Sequence, residues 1–253
     1  MGKIIAVVNQ KGGVGKSTTA VNLGAALSAQ GKKVLLVDID PQGNTTSGLG
    51  IEKNTLPECI YNLLVNGREV SAIIQKTKVD NLYLLPATIQ LAGAEIELVS
   101  AMSREMKLKK ALSRVRNAYD YFLIDCPPSL GLLTLNALTA ADSLIIPIQC
   151  EFYALEGLSQ LLKTIALVKE HLNESLEIEG ILLTMYDART NLGQQVAEEV
   201  KKFMPDKVYK TYIPRNIKLS EAPGFGLPIM LYDKKSKGAQ AYEELAYEVI
   251  NHG

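Results

Sequence analysis

The 253-residue chain is 47% hydrophobic and 21% charged, with 27 basic residues against 27 acidic ones and a formal net charge of zero. That composition suits one α/β domain, or at most two small ones, with a good apolar core. A balanced charge excludes a general pull toward nucleic acid or acidic membrane, so any such binding must come from local patches.

Five short apolar, β-branched runs read as strands: 3–8, 33–39, 121–126, 143–148 and 178–185, with a weaker one at 81–87. Helix-like stretches follow most of them, at 16–30, 104–117, 129–140, 154–171, 192–204 and 239–251. Gly31 stops the first. Near-continuous apolar strands alternating with helices predict a three-layer α/β fold, a mostly parallel twisted sheet with helices on both faces. Right-handed crossovers would put the working loops at the carboxyl ends of the strands. Segment 41–100 is the least regular and reads as loops and short helices beside the sheet. With no repeat and no long linker, residues 1–253 are expected to form one domain. No apolar run approaches the roughly 18 residues that span a bilayer, and a strand begins at Lys3 where a signal peptide would stand. Met1-Gly2 is similar to a myristoylation start, but Ala6 stands where Ser or Thr is expected. Cys59, Cys126 and Cys150 show no C-x-x-C pattern and read as reduced, buried thiols.

The chemistry begins at "NQKGGVGKSTT", residues 9–19. A phosphate-binding loop reads G-x-x-x-x-G-K-[ST] between a strand and a helix. Here Gly15-Lys16-Ser17 fit, but Gln10 replaces the first glycine and a second lysine, Lys11, stands at the front. Gly12, Gly13, Val14 and Gly15 would turn the backbone so that its N–H groups face phosphate oxygens. Lys16 would reach the β- and γ-phosphates, Ser17 would ligate Mg²⁺, and Thr18 would lie near the α-phosphate. Asp125 ends an apolar strand where a metal-side carboxylate belongs and would hold Mg²⁺ through water. Asp38 and Asp40, two residues apart, would share one side of a strand, with Pro41 ending it. Asp40 would orient an attacking or metal-bound water.

These motifs resemble the ParA/MinD family of deviant Walker A ATPases, and among them chromosomal ParA proteins of the Soj type. "KGGVGKST", "VDIDPQGN" and "LIDCPPSLG" match, as do "ATIQLAGAEIEL" (87–98), "ALTAADSLIIPIQCEFYALEGLSQL" (137–161), "MYDARTNLG" (185–193) and "YIPRNIKLSEAPGFGLPIMLYD" (212–233), in order along nearly the whole chain. The resemblance implies ATP held between two subunits of a homodimer, with Lys11 reaching across to the partner's phosphates as an arginine finger does. Lys11, Lys16 and Asp40 would then be the catalytic side chains, and Ser17, Asp40 and Asp125 the metal-side ones. Pro214 and Asn216 match adenine contacts, with Met185 and Asp187 nearby.

The same resemblance implies non-specific DNA binding by the ATP dimer, with hydrolysis and release stimulated by a ParB/Spo0J-type partner. A link to a replication initiator and a cytoplasmic, nucleoid-associated location go with it. Arg189 and Lys218 match family positions tied to DNA, and Lys234, Lys235 and Lys237 add charge nearby. Such residues would touch phosphates, giving steep salt dependence and little base preference. The six basic residues of 103–119 read better as a solvated helix face. A strand starting at Lys3 leaves no room for a preceding helix-turn-helix, and a C-terminal helix with glutamates and no lysine or arginine over 241–253 argues against a membrane anchor. Two departures from the family pattern stand out: Ser17 for the commoner Thr, and a glycine-rich 223–228 where relatives often carry Ser-His-Gly. Other classes remain open: a metabolic transferase or ligase of the same superfamily, an iron–sulfur carrier, and a DNA scaffold without turnover.

Overall fold

A computed structural model of the chain describes residues 1–151 and 154–251. Seven strands form one sheet: β1 (Lys3–Val7), β2 (Val34–Asp38), β3 (Gln75–Lys76), β4 (Leu82–Leu85), β5 (Tyr121–Asp125), β6 (Ser143–Gln149) and β7 (Glu177–Thr184). Their order is β3-β4-β2-β5-β1-β6-β7, and every pairing is parallel except that of β3 with β4. The predicted three-layer architecture is therefore present. The additional strand is β3, two residues on the sheet edge, too short to leave a period in the sequence.

Alternate strand residues feed two cores. Ile4, Ala6, Leu35, Val37 and Ile124 face one layer, which includes Leu133, Leu161, Ile165 and Val200. Ile5, Leu36, Leu123, Ile145 and Leu182 face the other, filled by Leu23, Leu27, Leu245 and Val249. Strands buried on both sides need apolar residues at every position, which is why these runs are continuous rather than alternating.

Helices Ala154–His171, Asn191–Phe203 and Lys237–Asn251 lie close to their predicted places, as does Lys16–Ala29 after the glycine loop. Two predicted helices are shorter. Leu132–Ala140 starts three residues late, because Pro127 and Pro128 hold the preceding loop extended. The stretch 104–117 breaks into a 3₁₀ turn, the helix Lys107–Ser113 and a second 3₁₀ turn. Its last turn is drawn away by Arg116, whose Nε donates to the Gly2 carbonyl at 2.9 Å and whose other end pairs with Asp142. Arg104 and Arg114 are also paired, with Glu105 and Glu69. Three of the six basic residues there are thus paired within the chain, and Arg116 ties the stretch to Gly2 and Asp142.

The register carries the fold to the site. Asp38 of β2 lies opposite Asp125 of β5, and Val7 of β1 lies opposite Asp125 from the other side. The carboxyl ends of these three strands are level, and the glycine loop leaves β1 at that edge. Among the described residues, no helix is long and apolar enough to cross a membrane.

Candidate nucleotide-binding site

The glycine loop leaves β1 and enters the helix Lys16–Ala29. Its left-handed residues are Gly13 (φ 76°) and Gly15 (φ 91°). Gln10 and Lys11 have ordinary negative φ, so the missing first glycine costs the turn nothing. Gln10 instead ties the loop sideways: its Nε2 donates to the Gly157 carbonyl at 3.1 Å and to Gln160 Oε1 at 2.8 Å. Asn9 braces the same corner, donating from Nδ2 to the Pro147 carbonyl at 2.7 Å and accepting from the Lys11 N–H at 3.0 Å.

The two lysines separate. Lys16 is buried, and its Nζ donates to the Lys11 carbonyl at 2.8 Å across the loop. Burial pulls its pKa below the usual lysine range, while Asp125, Cys126 and Asp40 pull it back up. Lys11 turns its ammonium to Glu151 of the same chain, outside the phosphate cavity.

That cavity, about 500 Å³, is lined by Gly12, Gly13, Gly15, Lys16, Ser17 and Thr18. Asp40 closes one side, and Pro223 and Leu227 another. A second cavity of about 520 Å³ contains Pro214 and Asn216 and shares Gly15, Thr18, Met185 and Pro223 with the first. Two adjoining spaces, one bounded by the glycine loop and the start of its helix and the other by Ile213, Pro214, Asn216 and Leu219, fit the phosphate and base ends of a nucleotide. Met185 stands at their boundary in a left-handed conformation, φ 50°. Val14 contributes backbone only: its side chain is buried and its carbonyl accepts from Thr184 Oγ1 at 2.8 Å. Asp187 lines neither cavity, because Arg189 takes its carboxylate at 2.9 and 2.7 Å.

Three carboxylates stand behind the loop in different settings. The strand ends at Asp38, so the expected alternation does not extend to Asp40. Asp40 sits in a turn instead, its N–H donating to Asp38 Oδ1 at 3.2 Å and its Oδ1 accepting from the Gln42 N–H at 2.9 Å. Asp38 is fully buried, and its Oδ2 accepts from Thr46 Oγ1 at 2.7 Å and Thr46 N–H at 2.8 Å. Burial, and then the charge of Asp125, push Asp38 up to about 8. Asp125 is also fully buried; burial raises its pKa, and the Ser17 and Thr45 hydroxyls work against that rise. Its Oδ2 accepts from Thr45 Oγ1 at 2.8 Å, while Oδ1 is buried without a hydrogen-bond partner. A partnerless carboxylate oxygen beside Ser17 is what a metal-bound water would satisfy. Among the described residues no cluster of His, Cys, Asp or Glu could hold a metal alone. That suits Mg²⁺, which takes few protein ligands and completes its shell with phosphate oxygens and water.

Sequence reasoning did not single out Thr45 and Thr46, although two hydroxyls directly after "DPQGN" were a visible signal. It also passed over Asn22, which donates to the Thr18 carbonyl at 2.8 Å and accepts from the Ile229 N–H at 2.7 Å.

The basic candidates are on the surface. Arg189 is held by Asp187, and Lys218 pairs with Glu221 at 3.0 Å. Lys234, Lys235 and Lys237 are exposed. Phe152 and Tyr153 of the 137–161 motif, and His252 and Gly253 at the C-terminus, lie outside the described residues.

A family model described as an AAA domain matches residues 2–178. The sporulation initiation inhibitor protein Soj of Bacillus subtilis is 67% identical over 253 residues, covering 100% of both chains. The chromosome partitioning protein ParA of Myxococcus xanthus is 54% identical, over 99% of this chain and 88% of its own. Among solved structures, cobyrinic acid a,c-diamide synthase from Mycobacterium smegmatis with ADP and magnesium superposes with a TM-score of 0.88 at 43% identity, covering 100% of this chain and 95% of that one. The cell division ATPase MinD of Pyrococcus furiosus superposes at 0.83 with 28% identity, covering 100% of both.

Proposed function

Because the chain belongs to the Soj/ParA family of chromosome-partitioning P-loop ATPases, we propose that it works as a nucleotide-gated switch on DNA. It is an ATPase that uses ATP with Mg²⁺. In the proposed cycle, ATP joins two copies into a dimer, the dimer binds DNA without base preference, and hydrolysis releases it. A ParB/Spo0J-type partner stimulates that hydrolysis, and a replication initiator is a further partner. The protein then works in the cytoplasm, on the nucleoid. The observation that carries this reading is the division of labour between the lysines: Lys16 serves the cavity from inside, while Lys11 carries its charge outside it. A lysine so placed can reach a facing nucleotide by leaving or sharing Glu151.

Gly12, Gly13, Gly15 and the start of the following helix hold the phosphates, and Pro214 and Asn216 hold the base. Ser17, Asp40 and Asp125 lie on the metal side, the two carboxylates acting through water. Bound Mg²⁺ neutralises charge on the phosphates. Asp40 orients the attacking water, while Lys16, and Lys11 from the partner copy, offset charge developing on the transferred phosphoryl group. Arg189, Lys218, Lys234, Lys235 and Lys237 are the proposed contacts to DNA phosphates. Two weak patches joined in one dimer gain affinity through effective concentration, which couples nucleotide state to DNA.

The test is DNA binding with ATP, ADP and no nucleotide at two salt concentrations. The switch requires tight, salt-sensitive binding with ATP alone; equal binding in all three states would refute it. The similarity to a synthase at 43% identity favours, as a second reading, a metabolic ligase. Turnover stimulated by DNA and partner, without any small acceptor, separates the two.

A further inference from the structure

Two neighbouring hydroxyls divide two buried carboxylates between them. Thr45 and Thr46 are both fully buried, in the short helix Asn44–Gly48. Thr46 faces Asp38, to which it donates from both its hydroxyl and its N–H, and its Oγ1 accepts from the Ala87 N–H at 3.0 Å. Thr45 faces Asp125 alone, at 2.8 Å to Oδ2. The other oxygen of Asp125 is buried and unpartnered.

We infer that Thr45 is a positioning residue for magnesium-dependent nucleotide binding: it occupies one oxygen of Asp125 and so fixes which oxygen is presented to the metal side. Without Thr45 the buried Asp125 carboxylate, with only the Ser17 hydroxyl beside it, could turn about its last bond and offer either oxygen. A neutral hydroxyl donor stops that rotation without cancelling the charge. The same hydroxyl links two loops. Thr45 follows the turn that carries Asp40 by five residues, and Gly43 (φ 61°) makes the sharp entry into its helix. Displacing the Asp40 turn would therefore pull on the bond that orients Asp125, so the two carboxylates are set together.

This inference rests on the reading of Asp125 as a metal-side carboxylate. The experiment measures the Mg²⁺ concentration that half-saturates tight binding of a fluorescent, non-hydrolysable ATP analogue. Loss of an outer-shell partner costs about 10–100-fold in metal affinity. Asp125 acts through water and is itself that outer-shell partner, so Thr45→Val, one shell further out, should raise the half-saturating Mg²⁺ by about threefold to tenfold, up to the low end of that range, with analogue binding in EDTA unchanged. Thr45→Ser keeps the hydroxyl and should stay within about twofold of the wild type. Thr46→Val, which loosens Asp38 instead, should lower thermal stability without moving the Mg²⁺ midpoint. Should the valine variant fail to fold, Thr45→Ala carries the same comparison. If Asp125→Asn shifts the midpoint and neither Thr45→Val nor Thr45→Ala does, the positioning role is overturned and the metal-side reading survives. If Asp125→Asn leaves the midpoint in place, that reading falls and takes the inference with it. Equal shifts in Thr45→Val and Thr46→Val would mean general loosening, which also overturns it.

Discussion

Lys11 and Glu151 form a partly exposed pair, the kind that contributes about 0–1 kcal/mol to stability. Removing it should leave the monomer nearly intact, so Lys11 offers a clean separation of fold from function. Lys11→Ala should melt within about 3 °C of the wild type while losing ATP-dependent dimerisation and turnover; light scattering and phosphate release check both. Asp40→Ala should do the converse in part, dimerising with ATP yet hydrolysing it at least about a hundredfold more slowly. Wild-type turnover in that variant would remove Asp40 from the mechanism. The thiols give a third prediction. Burial pushes Cys150 up to about 11 and Cys126 higher still. At pH 8 only about one Cys150 in a thousand would be thiolate, so alkylation of the buried Cys126 should wait on unfolding, while Cys150, half-buried rather than buried as expected, should react slowly in the folded protein. The residues legible in the sequence were those whose partner is a ligand of known spacing, such as Lys16 and Ser17. Thr45 was not, because its partner lies 80 positions away and only the β2–β5 register brings them together.

At the scale of elements, the glycine-rich 223–228 segment acquires a physical role. Gly226 (φ 62°) lies against Gly50 (φ 74°), and a Cβ on Gly226 would sit 2.5 Å from Gly50 Cα and 2.9 Å from its nitrogen. Two backbones meet there, and neither has a side chain to give way. One belongs to the segment after Asn44–Gly48, the other to the wall of both cavities through Pro223. Gly226→Ala should therefore part the two segments at a cost of about 1–3 kcal/mol. ATP and ADP should weaken together, by about tenfold for each 1.4 kcal/mol that reaches the site. Gly224→Ala is the control: no atom lies within 4 Å of its Cβ position, and its affinity should not change. Fluorescence titration with both nucleotides decides it, and equal effects of the two variants would contradict the wall. The long strands and helices were legible because each carries a continuous apolar run or a 3.6-residue face. The break in 104–117 was not, since Arg116 abandons its helix for Gly2 and Asp142, partners that local pattern cannot reveal.

For the whole molecule, zero net charge means that DNA affinity must come from a few surface cations rather than from a long-range field. Each monomer offers little. Arg189 and Lys218 already have carboxylate partners, which a DNA phosphate must displace or share. Lys234, Lys235 and Lys237 are exposed beside the start of the C-terminal helix. Weak patches of this kind become useful when doubled, and the doubling is measurable. Each phosphate contact contributes about −0.9 to the slope of log K against log salt. In a two-fold dimer one substitution removes two contacts. Lys235→Ala should therefore reduce the magnitude of that slope by about 1.8 in ATP, and weaken binding alike on unrelated DNA sequences. A reduction near 0.9 would mean that a single copy engages the DNA, and no reduction would take Lys235 out of the interface. Sequence-dependent weakening would point to base contacts, which a patch of exposed lysines at a helix start is poorly shaped to make.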